Sequence, residues 1–168
     1  IILFQFQDAL RPDVKKTISE LKEQNLKTIM LTGDHMINAQ PIAKEIGIDE
    51  VFADLRPEDK LQKIADLALS GDLMMVGDGI NDAPALARAT VGVSMGKIGS
   101  ATAVDASDII LIHDDLSLLS WLIKKARQTR RILTQNITLA LIVILFATTP
   151  ALLGWVPLWI AVILHEGG

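Results

Sequence analysis

Two carboxylates, an amide and two glycines stand together in Gly77-Asp78-Gly79-Ile80-Asn81-Asp82. The glycines let the backbone turn tightly, and Asp78, Asn81 and Asp82 are then presented together, a combination suited to Mg²⁺ and phosphate. Magnesium takes few carboxylate oxygens, with water and phosphate completing its octahedron. Asp78 is the first candidate ligand and Asp82 the second. An isolated Asp-Gly is an ordinary turn signal. A turn does not account for a second carboxylate four residues on, followed by Ala83-Pro84, where Pro suits a helix's first turn. Thr32-Gly33-Asp34 offers a hydroxyl, backbone donors and a further carboxylate in a form that can cradle an anion. Lys60 lies in the opening turns of a helix begun by Pro57-Glu58-Asp59, where it can reach a phosphoryl oxygen as a point charge. Alone, such a lysine is a solvated surface residue. A Thr, a Lys and an Asp pair on three loops together point to phosphoryl transfer.

The elements that must position these loops are short apolar runs alternating with segments of helical period. Candidate strands are Ile1–Phe6, Thr28–Leu31, Val51–Ala53, Leu73–Val76, Val91–Ser94 and Ile109–Ile112. Between them Val14/Ile18/Leu21, Ala39/Ile42/Ala43/Ile46 and Leu61/Ile64/Ala65/Ala68 recur at helical spacing. This alternation predicts an α/β fold with a doubly wound parallel sheet. Ligands of such sheets sit beyond the carboxyl ends of the strands, where Thr32-Gly33-Asp34, Asp54 to Lys60 and Gly77 to Asp82 fall.

The rest of the chain is written for another solvent. Half of the 168 residues are hydrophobic, and mean hydropathy is +0.38. The apolar excess is concentrated at the C-terminal end, where 33 positions between Arg131 and His165 carry no charge. A membrane span needs about 20 apolar residues, so the tract is enough for one crossing and short of two, with Gly154 and Pro157 near its middle. A helical hairpin cut within its second arm is expected, with Trp155 and Trp159 at the far interface. Lys124, Lys125, Arg127, Arg130 and Arg131 precede the tract and place residues 1–131 on the cytoplasmic side. With a net charge of −4 and this use of its cations, the chain gives no reason to expect nucleic acid. It has no cysteine, hence no disulfide framework or thiolate metal site. It opens on Ile1 and ends in an apolar stretch, and is expected to be part of a longer protein.

Starting a second helix at Trp155 puts His165 about 15 Å further in, near the middle of a ~30 Å hydrocarbon core. Ionisable groups at that depth are candidates for an ion pathway, and imidazole with the Glu166 carboxylate suits Zn²⁺ or Co²⁺. The plainer reading is a solvated tail.

Thr32-Gly33-Asp34, Pro57-Glu58-Asp59-Lys60 and the run from Gly77 to Leu86 resemble the phosphorylation domain of P-type ATPases, within the haloacid dehalogenase superfamily. Asp8-Ala9-Leu10-Arg11-Pro12 resembles the segment opening the second half of that domain, and Leu164-His165-Glu166-Gly167-Gly168 a membrane-helix signature of the cobalt/zinc-type heavy-metal pumps. The resemblance implies that Asp78 ligates Mg²⁺, that Asn81 and Asp82 support the phosphoryl site, and that Lys60 stabilises its charge. It further implies that Thr32 and Gly33 contact phosphoryl oxygens, that Asp34 sits beside the hydrolytic site, and that His165 and Glu166 hold the transported ion. The implied protein is an integral pump of the cell membrane, using ATP and Mg²⁺ to move Co²⁺ or Zn²⁺ across the bilayer through an aspartyl phosphate. Its expected parts are half of the phosphorylation domain at 1–115, a basic connecting helix at 116–131, a span at 132–154 and the start of a second at 155–168. The family's nucleophile lies in Asp-Lys-Thr-Gly-Thr, a run absent from these residues, which are expected to catalyse nothing alone. A membrane-anchored phosphatase of the same superfamily, or a pump for another cation, is the alternative.

Overall fold

The computed structural model describes Leu10, residues 13–78, 82–96 and 101–154, and Pro157. It forms two compact units, residues 1–120 and 121–168. The first alternates helix and strand: α1 (Val14–Glu23), β1 (Ile29–Leu31), α2 (Met36–Ile46), β2 (Glu50–Phe52), α3 (Pro57–Ser70), β3 (Met74–Gly77), α4 (Ala83–Arg88), β4 (Val91–Met95), α5 (Ala101–Asp105) and β5 (Ile109–Leu111). The final helix, α6 (Ser117–Leu152), begins in this unit and makes up most of the second.

Local chemistry sets several of these boundaries. Pro57 occupies the first position of α3, where its missing N–H costs nothing, and Glu58 and Asp59 place negative charge in the first turn. The Asp59 carboxylate accepts the Arg56 N–H at 3.0 Å. At the end of α2, Gly47 takes a left-handed φ of +84° and donates its N–H to the Ala43 carbonyl at 2.9 Å, turning the chain toward β2. Asp49 then ties this turn to β1, accepting the Thr28 N–H at 2.8 Å and pairing with Lys22 at 2.7 Å. Lys22 first, and the Thr28 donors next, hold its carboxyl well below the usual range.

Every ladder is parallel, as the alternating pattern predicts. The five strands pair in two groups rather than one: β1 with β2, and β3 with β4 with β5. The two groups share apolar contacts. Met75 of β3 forms a buried cluster with Ile64, Ala85 and Leu86, and Leu31 of β1 packs against that cluster. A second cluster of Val93, Met95, Leu111 and Leu119 joins β4 and β5 to the start of α6. The predicted strand Ile1–Phe6 lies outside the described residues.

The middle strand β4 admits α4 at very short range because Gly92 has no side chain. A Cβ there would lie 2.7 Å from the Leu86 carbonyl oxygen, a backbone atom that cannot swing aside. Gly92→Ala is therefore expected to destabilise the domain by about 1–3 kcal/mol, seen as a lower Tm on thermal unfolding of the purified protein.

α6 runs unbroken through the basic turn and the apolar run. Among the described residues it is the one helix long and apolar enough to cross a membrane. The mean hydropathy of its most apolar window is 1.9, and none of that window is buried. Trp155 and Trp159 of the expected second arm lie outside the described residues.

Candidate functional site

The β3 end carries the first group of polar residues. Asp82 starts α4 through its backbone, its carbonyl accepting the Leu86 N–H at 2.8 Å, but its side chain does not cap that helix. The carboxylate turns instead toward α3, where Oδ1 accepts from Lys60 Nζ at 2.9 Å. The two side chains are only 18% and 14% exposed, so the pair is shielded enough to be well ordered. Gly77 makes the approach possible. A Cβ at Gly77 would sit 3.2 Å from Asp82 Oδ2, so a larger residue at the strand end would push the carboxylate away from Lys60. Asp78 follows directly and is exposed, with no hydrogen bond or ion pair among the described residues. Asn81 lies outside them, as do His165 and Glu166.

The β1 end carries the second group. Thr32 extends the β1/β2 ladder through its N–H to the Phe52 carbonyl at 3.0 Å. Its hydroxyl oxygen accepts the Asp34 N–H at 3.1 Å and donates to the Asp34 carboxylate at the same distance. Gly33 passes close to the neighbouring loop, where an added Cβ would lie 3.3 Å from the Leu55 carbonyl. That loop is stitched to this one twice, by Leu55 N–H to the Thr32 carbonyl at 3.1 Å and Asp54 N–H to the Asp34 carbonyl at 2.8 Å.

Asp54 is the residue that sequence reasoning passed over, naming only the polar segment Asp54 to Lys60. It adopts a left-handed φ of +57°, a conformation Asp tolerates better than most side chains. One carboxylate oxygen pairs with His35 Nδ1 and the other accepts the Met36 N–H at 3.2 Å. The His35 bond first, then the Met36 N–H, hold its carboxyl below the ordinary carboxylate range. Thr32, Gly33 and Asp34 are thus braced by a loop from the next strand. The available signal was position, immediately after a strand on the ligand-binding rim.

The structure therefore joins Lys60 to Asp82 over Gly77, and Thr32 to Asp34 beside Asp54. Among the described residues no three His, Cys, Asp or Glu side chains gather to hold a metal. The exposed Asp78 carboxylate fits Mg²⁺, which keeps several waters and uses one or two carboxylates with substrate phosphate. With one Asp82 oxygen engaged by Lys60, Asp78 is the carboxylate open to such an ion.

The sequence profile of the haloacid dehalogenase-like hydrolases matches residues 2–90, and the chain belongs to that family. Within it, the relatives are heavy-metal-transporting P-type ATPases, whose C-terminal part this chain matches. It is 46% identical over its whole length to a protein of Arabidopsis thaliana named as a probable cadmium/zinc-transporting ATPase, chloroplastic. Over 95% of its length it is 44% identical to a probable cadmium-transporting ATPase of Listeria monocytogenes. A crystal structure of a zinc-transporting PIB-type ATPase in the E2.Pi state is similar over 96% of the chain, with 42% identity and a TM-score of 0.89. The chain spans 21% and 23% of the length of those two relatives and 26% of that crystallised chain.

Proposed function

We propose that the complete protein is an ATP-driven pump for a divalent heavy metal, working through a Mg²⁺-dependent aspartyl phosphate. The observation that carries this reading is the shielded Lys60–Asp82 pair, seated over Gly77 beside the exposed Asp78. In it Asp78 is the protein ligand of Mg²⁺, which when bound neutralises charge on the transferring phosphoryl group. Lys60 directs its ammonium at the same oxygens, and Asp82 holds Lys60 in place. Asn81 supports the same site. Thr32 and Gly33 supply donors from the opposite loop, and Asp34, braced by Asp54, faces the water that hydrolyses the aspartyl phosphate.

The nucleophile comes from outside these residues. β1 and β3 pack on one apolar cluster without pairing, and a parallel strand between them would complete the sheet. A strand from an upstream part of the protein, ending in the nucleophilic Asp of an Asp-Lys-Thr-Gly-Thr run, fills that role. Residues 1–115 are then half of the phosphorylation domain, with 116–131 and 132–154 the connecting and spanning parts of one helix and 155–168 the start of a second span. The protein is an integral membrane protein of the cell membrane with residues 1–131 cytoplasmic.

The cargo is a divalent heavy metal, Zn²⁺ or Co²⁺ by the chemistry of His165 and Glu166, and the relatives are named for cadmium and zinc. ATP hydrolysis by the purified complete protein should rise on adding Zn²⁺, Cd²⁺ or Co²⁺. His165→Ala should raise the half-stimulating metal concentration at least about tenfold. Hydrolysis indifferent to all three metals would defeat the pump; an unchanged response in His165→Ala would remove only the cargo site.

A further inference from the structure

We propose that one face of α6 binds the anionic phospholipid headgroups of the leaflet that borders its basic turn. This rests on the membrane reading of α6 given above. Five cations fall within the eight residues from Lys124 to Arg131, all exposed, on a single unbroken helix. No acidic residue occurs from Leu116 to His165.

Their arrangement goes beyond what membrane orientation needs. Orientation is set by cations near the end of a span on any side of the helix. At 3.6 residues per turn, Lys124, Arg127, Arg130 and Arg131 share an arc of about 140° with Thr134 and Gln135. Leu122, Ala126 and Leu133 occupy the other side. Arg127, Arg130, Arg131, Thr134 and Gln135 line one shallow concavity of about 420 Å³. Its rim is rich in donors, and guanidinium forks match phosphate oxygens in pairs. Lys125 stands off this face and reaches Gln128 Oε1 at 3.3 Å.

The position of the stripe selects a lipid phosphate over a free one. Arg131 is followed at once by the uncharged run, so the cations end where hydrocarbon begins. From Lys124 to Arg131 the helix rises roughly 10 Å, comparable with the headgroup layer of one leaflet. Juxtamembrane clusters of this size attract anionic lipids, and this one holds its cations on one rigid face.

The test uses the complete protein in vesicles of phosphatidylcholine with increasing phosphatidylglycerol, and spin-labelled versions of both lipids to read relative association. Wild type should select phosphatidylglycerol. The combined K124Q, R127Q, R130Q and R131Q substitutions should reduce that selectivity at least about tenfold. Single substitutions then separate a site from general charge: R130Q should weaken selection, and K125Q, off the face, should leave it unchanged. Equal losses in R130Q and K125Q would overturn the proposal, as would equal association of both lipids with wild type. Inorganic phosphate added to the vesicles should not displace the labelled lipid; displacement would make this a soluble-phosphate site and overturn the lipid assignment. The assay needs no ATP hydrolysis, so a metal-insensitive ATPase would remove the pump reading and leave this one standing. Release of wild type from membranes by alkaline carbonate would instead overturn both the membrane reading and this site.

Discussion

Replacing Asp78 with Asn in the complete protein is expected to lower phosphoenzyme formation from ATP about a thousandfold while leaving the fold intact. The two halves of this expectation have separate grounds. Asp78 is exposed at the end of β3 and makes no hydrogen bond or ion pair among the described residues, so the amide removes charge without disturbing packing. Surface changes of that kind shift stability by no more than about 0.5 kcal/mol. The loss of function comes from the other side of the same fact. A carboxylate left open at a strand end, beside a lysine already paired, is the group available to a divalent cation. Asn keeps one weaker oxygen donor, so raised Mg²⁺ should recover part of the phosphorylation. Acid-stable incorporation of labelled phosphate, followed across a Mg²⁺ titration, reads both effects. Retention of more than a tenth of the wild-type level at ordinary Mg²⁺ would remove Asp78 from the metal site.

How much of this was legible beforehand depended on how local the determining physics was. The strands at 29–31, 50–52, 74–77, 91–95 and 109–111 fall within a residue of the expected runs, because each is a short apolar segment punctuated by Gly, Pro or a polar cluster. The short helix α5 was not anticipated, since Ala101–Asp105 is too brief to show a helical period. Thr32, Asp78 and Asp82 were legible as chemistry-bearing types in the loops after strands, and Lys60 as one in the opening turns of a helix. That Asp82 would turn away from its own helix toward Lys60 was not, since it depends on Gly77 clearing the way across the chain. The brace from Asp54 to His35 and Met36 was hidden for the same reason. It joins residues 18 and 19 apart in sequence through a left-handed backbone that no side-chain pattern announces. The division of the sheet into two ladders was equally out of reach, because apolar runs predict strands but not which edges meet.

The Lys60–Asp82 pair allows catalysis and stability to be separated in one set of variants. Lys60→Met keeps the length of the side chain and removes its charge. Phosphoryl transfer should fall about a hundredfold to a thousandfold, the cost of removing one charge-stabilising donor. Stability should also fall, by about 1–3 kcal/mol, because Asp82 is left as an uncompensated carboxylate that is only 14% exposed. The figure stays below that of a fully buried pair, since some water still reaches both groups. Adding Asp82→Asn to Lys60→Met removes the stranded charge. The double variant should regain most of the lost stability and none of the lost activity, a non-additive pattern that two independent surface residues would not give. Chemical denaturation and single-turnover phosphorylation, run on the wild type, both single variants and the double, supply the two cycles. If Asp82→Asn alone matched Lys60→Met in activity, Asp82 would act chiefly by holding the lysine. If it kept near-normal turnover while Lys60→Met did not, Lys60 would reach the phosphoryl group unaided, and the turn of Asp82 away from its own helix would serve the fold alone.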